Sequence, residues 1–454
     1  MNTQHAVNLW KSSQSEGLPS SDCTSTTLER LLHLELSSGE DPDACDQSLR
    51  LLVHCAVGGS GYSDTRPGKR RVPSAGARYP VECLLLTWRD ASPRVWLVSL
   101  AGRVLRLSAR FAAQVARATQ AAPGESGVVV VASLWKTIER YGLAGVRYTV
   151  YDAGHVLSNL AEFAIDEGER LGLGLEVDAR SVFRELSNHV FALYVVRLKV
   201  EQPSVLDDVR SLQWPAPMAP ANSVNVDPPS FSPLLARARA LIATMAHDVG
   251  DRPLALCSLT RARRRGFDWI EARQSAKGFA ARPVAQMRGT QLHLRPFLRE
   301  LLERAQATYG LVLGVATLER APDGDYVLGD AVSLNSKPDS AILCPVHALL
   351  DACNGQAQVT HAEAVAVLFV QLVHLPPADR LAAAAAAQNC IGILSAEIYR
   401  WCALERVGTT MLCGFSHQLM SELLGGGADW PLALHLFGHE DTAGVKSDTS
   451  YFLQ

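Results

Sequence analysis

The sequence predicts an α+β protein built from two domains of similar size. The chain has 454 residues, about three times the length of a typical domain, so a single compact unit is not expected. Apolar residues recur at helical spacing in some segments and form short runs rich in valine and leucine in others, so helices and buried strands both occur. A proline-rich segment at 202–231 predicts a linker between an N-terminal domain, 1–201, and a C-terminal domain, 232–454.

Composition limits the classes of partner. With 48% hydrophobic and 20% charged residues, each half can bury a full core, and a net charge of −3 gives no electrostatic basis for binding nucleic acid. The ten cysteines form no C-x-x-C pair, which indicates reduced thiols and a cytoplasmic protein, and no metal site is predicted. The N-terminus lacks the basic-then-apolar order of a signal peptide, and the apolar runs are too short to span a bilayer. A small, largely apolar ligand fits this composition better than a membrane.

The N-terminal half is predicted to start with helices at 26–36 and 47–56, where leucines recur at helical spacing. Apolar runs rich in leucine and valine then predict strands at 81–88, 95–99, 128–133 and 191–200. Between the last two strands, the run Asp-Ala-Gly-His is predicted to open a helix at Asp152 that continues to about Leu171.

The C-terminal half is predicted to begin with a helix that has Ser232 as its N-cap and Pro233 at its first position. Strands are predicted at 311–318, 326–334 and 432–437, and an alanine-rich helix at 381–404. Periodicity does not decide between helix and strand for 359–373. Both halves therefore contain helix, strand, strand, helix, glycine-rich turn and final strand in a similar order, without a residue-level repeat.

A ligand cradle is predicted at 73–80, Pro-Ser-Ala-Gly-Ala-Arg-Tyr-Pro. The small residues Ser74, Ala75 and Gly76 follow Pro73 and let the backbone pass close to a flat ligand, with the Ser74 hydroxyl as a donor. The alternative is a surface turn that leads into a strand. The run resembles the signature of the SagB-type branch of the nitroreductase-like flavoenzymes, in which this loop touches flavin mononucleotide (FMN).

A second block carries the same resemblance. It contains, in order, Lys-Thr at 136–137, Arg-Tyr-Gly at 140–142, Arg-Tyr at 147–148, Asp-Ala-Gly-His at 152–155 and Gly-Leu-Gly at 172–174. SagB-type dehydrogenases have a similar order of motifs, and their azoline oxidases use a Lys-Tyr pair. The matching pair here is Arg140-Tyr141, so arginine replaces the lysine.

The resemblance implies that Tyr141 is the catalytic acid or base. Arg140 does not lose a proton at working pH, but its charge could lower the pKa of Tyr141. The replacement of lysine by arginine argues against azoline oxidation itself. The alternative for Tyr141 is a half-buried aromatic residue at a strand end. His155 is predicted as a second donor, with a helix-capping histidine as the alternative.

Two further resemblances lie in the C-terminal half. Arg273, Ser275 and Lys277 stand in a run similar to the Arg-x-Ser-x-Arg/Lys-x-Phe segment that binds the flavin phosphate and ribityl chain, and the alternative is a solvated basic turn. The segment 407–415 is similar to the family's Gly-Thr…Gly-Gly-Phe stretch, whose backbone lies along the flavin ring. The Gly414 amide is the predicted donor to flavin N5, because glycine permits close approach. Cys413, beside it, is interpreted as a packed thiol of this segment and not as a redox partner.

The resemblance implies an architecture for the whole chain. Each domain is expected to have a mainly antiparallel sheet flanked by helices, and the two nitroreductase-like domains are expected to form an intramolecular pseudo-dimer, so the chain should be a monomer or a weak homodimer. The cradle occurs only in the first half and the Arg-x-Ser-x-Lys run only in the second half. One composite FMN site and one vestigial site are therefore expected.

The expected function is that of an FMN-dependent dehydrogenase or oxidase of a biosynthetic intermediate, including the aromatisation of an azoline in a peptide or carrier-bound substrate. One alternative is an NAD(P)H-dependent reductase of nitro compounds, quinones or enones. An alternative from another class is a flavin-free structural partner of a biosynthetic enzyme.

Overall fold

The computed structural model describes residues 53, 59–60, 69–70, 72–74, 80–98, 104–170, 175–187, 190–200, 233–249, 253–254, 279, 284–309, 313–332, 343–372, 375–377, 379–425 and 430–439. The helix predicted at 26–36 and the linker predicted at 202–231 lie outside these residues. Val53, the one described residue of the helix predicted at 47–56, is helical and buried. Contacts divide the chain into two compact units, Met1–Ser258 and Leu259–Gln454.

The N-terminal unit contains a seven-stranded antiparallel sheet and a separate two-stranded ribbon. Its elements in chain order are β1 (Gly59–Ser60), β2 (Lys69–Arg70), β3 (Val81–Arg89), β4 (Ser92–Val98), β5 (Val104–Arg106), α1 (Ala109–Thr119), β6 (Gly127–Ser133), α2 (Trp135–Tyr141), α3 (Ala144–Arg170), β7 (Leu175–Ser187), β8 (Val190–Val200), α4 (Pro233–Val249) and β9 (Pro253–Leu254). The large sheet has the strand order β5-β4-β3-β6-β8-β7-β9.

The C-terminal unit contains a six-stranded antiparallel sheet. Its elements are α5 (Val284–Tyr309), β10 (Leu313–Arg320), β11 (Tyr326–Val332), β12 (Leu343–Cys344), α6 (Val346–Ala352), a 3₁₀-helix (Ala357–His361), β13 (Ala364–Val370), α7 (Arg380–Glu405), β14 (Gly408–Leu412), α8 (His417–Leu423) and β15 (Trp430–Gly438). The strand order is β12-β11-β10-β13-β15-β14.

The two sheets share one topology. In each sheet, three consecutive strands form an antiparallel meander, and the first of them also pairs with the fourth strand. A long helix comes after the fourth strand. The sixth strand then pairs with the fourth, and the fifth strand pairs with the sixth. The fourth strands, β6 and β13, are buried along their whole length. Their apolar runs do not alternate because helices cover both faces. The predicted α+β class, with two mainly antiparallel sheets flanked by helices, is confirmed.

The long central helices are buried on all sides. Every residue of α3 from Ala144 to Glu162 is buried, and so is every residue of α7 from Ala387 to Cys402. A helix without an exposed face is typical of the core of a large protein. Both stretches nevertheless include buried polar side chains, so these helices place polar groups inside the core of each unit.

The helix predicted to start at Asp152 begins earlier, at Ala144. The prediction failed because the intervening Tyr148-Thr149-Val150-Tyr151 run consists of β-branched and aromatic residues, whose helix propensity is low. All four are buried, so tertiary packing overrides the local preference. Asp152 and His155 consequently lie inside the helix and not at its start.

Other differences concern segments with weak or divided signals. The ambiguous stretch 359–373 contains the end of the 3₁₀-helix followed by β13. Helix α1 was not predicted, although Ser108 caps it by accepting a hydrogen bond from the Phe111 N–H (3.2 Å). Helix α4, which starts at Pro233 as predicted, packs against β7 and belongs to the N-terminal unit, whereas the predicted C-terminal domain begins at residue 232.

Candidate functional site

A tight helical hairpin, α2–α3, positions the Arg-Tyr pair of the N-terminal unit. Gly142 follows the last residue of α2; its φ of 57° favours glycine, and its N–H donates to the Ile138 carbonyl (2.8 Å). Gly145, at the start of α3, lies so close to α2 that an added Cβ would be 2.6 Å from the Thr137 carbonyl carbon. The Thr137 and Thr149 hydroxyls share a hydrogen bond of 2.7 Å that joins the two helices.

This hairpin brings Tyr141 against Tyr148. The two rings meet edge to face with their centroids 5.0 Å apart, and Tyr141 lies at the end of α2, not at a strand end. The Arg140 guanidinium lies 5.5 Å from the centre of the Tyr141 ring, which is a cation–π distance. Arg140 therefore acts on the aromatic ring of Tyr141. Both side chains are partly exposed, so a ligand can reach them.

The cradle is tied to the same helix. Ser74 Oγ donates a hydrogen bond to Asp152 Oδ2 at 2.7 Å, across 78 positions of sequence. Pro73 and Ser74 are partly exposed, whereas Asp152 is only 4% exposed. The sequence predicts that Ser74 donates a hydrogen bond to a ligand. In the structure Ser74 donates to Asp152 instead, so its one hydroxyl hydrogen is already used.

One face of α3 connects these contacts. Tyr148, Asp152 and His155 are spaced by four and three residues, so they lie on one side of the helix. One turn, about 6 Å of helix rise, separates the residue that contacts Tyr141 from the residue that binds Ser74. The structure thus connects Tyr141 and Ser74, from separate motifs, to one face of α3 that also contains His155. His155 is buried within the helix, so the alternative of a capping histidine is wrong.

A buried ion pair supports the hairpin from the sheet side. Lys136 Nζ of α2 lies 3.5 Å from Glu82 Oε1 of β3, and the two side chains are 4% and 8% exposed. Removal of one partner from such a pair leaves a buried charge, which typically costs about 3–5 kcal/mol. Lys136 is therefore assigned to positioning α2 and not to proton transfer.

In the C-terminal unit, the loop after β14 is held in place by its neighbours. The Gly414 carbonyl accepts hydrogen bonds from Asn354 Nδ2 (3.0 Å) and Gln356 Nε2 (2.7 Å). The Ser416 N–H donates to the Ala352 carbonyl (2.7 Å). Within the described part of the chain, no acceptor faces the Gly414 N–H. This amide is the kind of fixed donor that the predicted flavin contact requires.

Cys413 precedes this amide and is partly exposed, so it is not the packed core thiol that the sequence predicts. The remaining predicted site residues, Arg273, Ser275, Lys277, Ala75 and Gly76, lie outside the described residues. Their predicted contacts with the flavin phosphate, ribityl chain and ring stay predictions.

Each unit, taken by itself, has a segment that fits contact with a flat flavin ring. In the N-terminal unit, Pro73–Ser74 is partly exposed and has no bulky side chain. In the C-terminal unit, Cys413–Gly414 is partly exposed and offers an amide donor. The Ser74 hydroxyl hydrogen is taken by Asp152, so the cradle does not offer this hydroxyl as a donor to a phosphate. The cradle therefore suits the uncharged ring and not the phosphate.

Sequence reasoning missed Asp152, Glu82 and Tyr148 as parts of this arrangement. The spacing of Tyr148 and Asp152 was a usable signal, because it places them one turn apart once the helix is known to be continuous. The pairing of Ser74 with Asp152 had no local signal, since it joins residues far apart in sequence.

Comparison with known proteins gives structural matches only. No protein-family model and no curated protein sequence matches the chain. A candidate nitroreductase from Anabaena variabilis matches with a TM-score of 0.57 and 15% identity, over 97% of this chain and 99% of that chain.

Two further solved structures match shorter parts of the chain. The E. coli microcin synthetase McbBCD complex with truncated pro-MccB17 bound has a TM-score of 0.26 and 14% identity, over 43% of this chain and 91% of that chain. A candidate nitroreductase from Ralstonia eutropha has a TM-score of 0.24 and 14% identity, over 41% of this chain and 89% of that chain.

The full-length match and the repeated sheet topology agree with each other. Each unit has an antiparallel sheet of the same topology, and a long buried helix comes between its fourth strand and its next strand. The Anabaena variabilis structure matches this chain over both units, along nearly the whole length of each chain. The chain therefore has the nitroreductase-like α+β fold.

Proposed function

We propose that the protein is an FMN-dependent oxidoreductase that acts on a biosynthetic intermediate. The observation that carries this proposal is the single face of α3, which contacts Tyr141 through Tyr148 and Ser74 through Asp152. Tyr148 and Asp152 lie about one helical turn apart, so a candidate proton-transfer group and a candidate ring-contacting loop both contact the same side of one helix. This arrangement supports a site in which the flavin ring and its substrate are bound beside α3.

Each residue has a proposed role. Arg273 and Lys277 would hold the phosphate of FMN, and Ser275 the ribityl chain, through charge-assisted hydrogen bonds. Ser74 and the Gly414 amide would contact the ring. FMN, when bound, supplies hydride transfer at N5. The Tyr141 hydroxyl would move a proton to or from the substrate, and His155 and the Arg140 guanidinium would support it.

The proposed reaction is the oxidation of an azoline to an azole in a peptide or carrier-bound substrate. A second candidate is the NAD(P)H-dependent reduction of nitro compounds, quinones or enones. Arg140 is the observation that keeps this second candidate open. A guanidinium over the Tyr141 ring cannot take the proton that the lysine of a Lys-Tyr pair can take, so azoline oxidation would use Tyr141 alone as its base.

The test is the spectrum and reduction of the purified full-length protein. We expect a flavin absorption spectrum that is bleached anaerobically by a thiazoline- or oxazoline-containing peptide. Faster bleaching by NADPH than by any azoline would identify the reductase. A colourless protein that binds no added FMN would contradict both and leave the flavin-free structural role.

A further inference from the structure

The hydrogen bond between Ser74 and Asp152 fixes the direction in which the Ser74 hydroxyl can act. Ser74 Oγ donates to Asp152 Oδ2 at 2.7 Å. A serine hydroxyl has one hydrogen, and in this bond the Asp152 oxygen is the acceptor. While this bond exists, Ser74 cannot donate that hydrogen to a ligand, and its oxygen can only accept.

Burial separates the roles of the two residues. Asp152 is 4% exposed within α3, whereas Ser74 is partly exposed in the loop before β3. A ligand can therefore reach the hydroxyl oxygen but not the carboxylate behind it. The hydrogen bond is short and its acceptor is buried, so Asp152 keeps the hydrogen when a ligand arrives.

We propose that Asp152 is a positioning residue that makes Ser74 a hydrogen-bond acceptor for a ring N–H of the ligand. This inference rests on the proposed function, in which the ligand is FMN. The oxidised isoalloxazine ring has one N–H, the imide N3–H, and its other polar ring atoms are acceptors. Ser74 is thus assigned to the imide edge of the ring, where it selects a flavin that carries the N3 hydrogen.

The experiment compares FMN with 3-methyl-FMN, which lacks this hydrogen. Dissociation constants of both are measured by fluorescence titration of the full-length protein freed of flavin, for wild type, Ser74→Ala and Asp152→Asn. Wild type is expected to bind 3-methyl-FMN about tenfold more weakly or worse, the equivalent of one hydrogen bond. Ser74→Ala is expected to bind both flavins almost equally.

Asp152→Asn is expected to lose most of the discrimination, because an amide can donate to Ser74 and release its hydrogen. One control accompanies it. Ser74→Thr keeps the hydroxyl and is expected to keep the discrimination. Thermal unfolding of each variant shows that the fold is retained.

The outcomes separate the two proposals. Wild type that binds both flavins equally, or Ser74→Ala that still rejects 3-methyl-FMN, overturns the acceptor role while leaving an FMN protein. Full discrimination in Asp152→Asn overturns the positioning role of Asp152. If Asp152→Asn does not fold, the ratio in Ser74→Ala against Ser74→Thr still decides the acceptor role. Wild type that binds neither flavin overturns the proposed function and this inference with it.

Discussion

Tyr141 is the residue on which the proposed chemistry depends most. Its ring contacts the Tyr148 ring and the Arg140 guanidinium, so loss of its hydroxyl should leave these contacts in place. Tyr141→Phe is expected to retain FMN and the fold while slowing flavin reduction by the natural substrate roughly 100- to 10,000-fold, as removal of a positioned proton-transfer group does. Stopped-flow absorbance with fully loaded protein measures this rate. An unchanged rate would transfer the role to His155 or to a substrate group.

His435 is the residue that should make the C-terminal unit sensitive to acid. It is fully buried in β15, beside the Tyr399 ring at 5.6 Å, and neither ring nitrogen has a hydrogen-bond partner among the described residues. Burial lowers the pKa of His435 from 6.5 to about 3. Between these values the unfolded chain binds a proton that the folded chain does not, so the free energy of unfolding falls as the pH falls from 6.5 towards 3.

His435→Phe removes this proton linkage while keeping an aromatic ring. The difference in unfolding free energy between neutral pH and about pH 4.5 is expected to be smaller in the variant than in wild type. Urea denaturation at the two pH values measures it. His347→Gln, at an exposed position of α6, is the matched control and should leave the difference unchanged. An equal acid sensitivity in His435→Phe would show that other groups cause it.

At the scale of elements, the α2–α3 hairpin depends on close approach at Gly145. Helix propensity alone would make Gly145→Ala stabilising by up to about 1 kcal/mol. The added Cβ would instead lie 2.6 Å from the Thr137 carbonyl carbon, and backbone cannot yield as a side chain can. Overpacking of this kind costs roughly 1–3 kcal/mol, so the expected net effect is destabilisation.

Denaturant unfolding of Gly145→Ala decides between these opposing effects. The loss of stability should be accompanied by weaker flavin retention, because the same hairpin positions Tyr148 against Tyr141. A variant more stable than wild type would mean that α2 and α3 are further apart than described.

The central helices illustrate how an element is specified by its surroundings. Helix α3 carries a Tyr-Thr-Val-Tyr run that locally disfavours helix, yet it is continuous and buried from Ala144 to Glu162. Burial of these large side chains stabilises the helix by more than their propensities cost. The same burial keeps Asp152 away from solvent, which gives Ser74 a carboxylate partner that water does not reach.

For the whole molecule, we predict one FMN per chain. The sequence contains one Pro-Ser-Ala-Gly cradle and one Arg-x-Ser-x-Lys run, so it has the parts of a single complete site. Denatured protein should release close to one FMN per chain, and Arg273→Ala should abolish most flavin retention, because a charge-assisted bond to phosphate is lost. Quantitative absorbance of the released flavin measures the ratio. Two flavins per chain would contradict the expected vestigial site.

Within the described part of the chain, every helix is too short or too polar to cross a lipid bilayer. The predicted monomeric or weakly dimeric state stays a prediction, which sedimentation velocity of the full-length chain can test.

The sequence by itself determined the class of the fold and the positions of most strands. The runs in β3 and β6 are apolar without alternation, as expected of strands that are buried on both faces. The similar run in β13 was left open between helix and strand, because periodicity does not separate a short buried strand from a buried helix segment. The Arg-Tyr pair, the Pro-Ser cradle and the Gly-containing loop after β14 were also recognisable, because each is a short motif whose residues are adjacent in the chain.

Only the tertiary structure decided how these motifs meet. The early start of α3, the contact between Tyr141 and Tyr148, and the hydrogen bond from Ser74 to Asp152 all depend on segments that fold against one another across long stretches of sequence. Local propensity and periodicity describe neighbours along the chain, and they contain no term for a hydroxyl and a carboxylate 78 positions apart. The direction of the Ser74 hydrogen bond therefore follows from the packing of α3 against the cradle and not from the motif that contains Ser74.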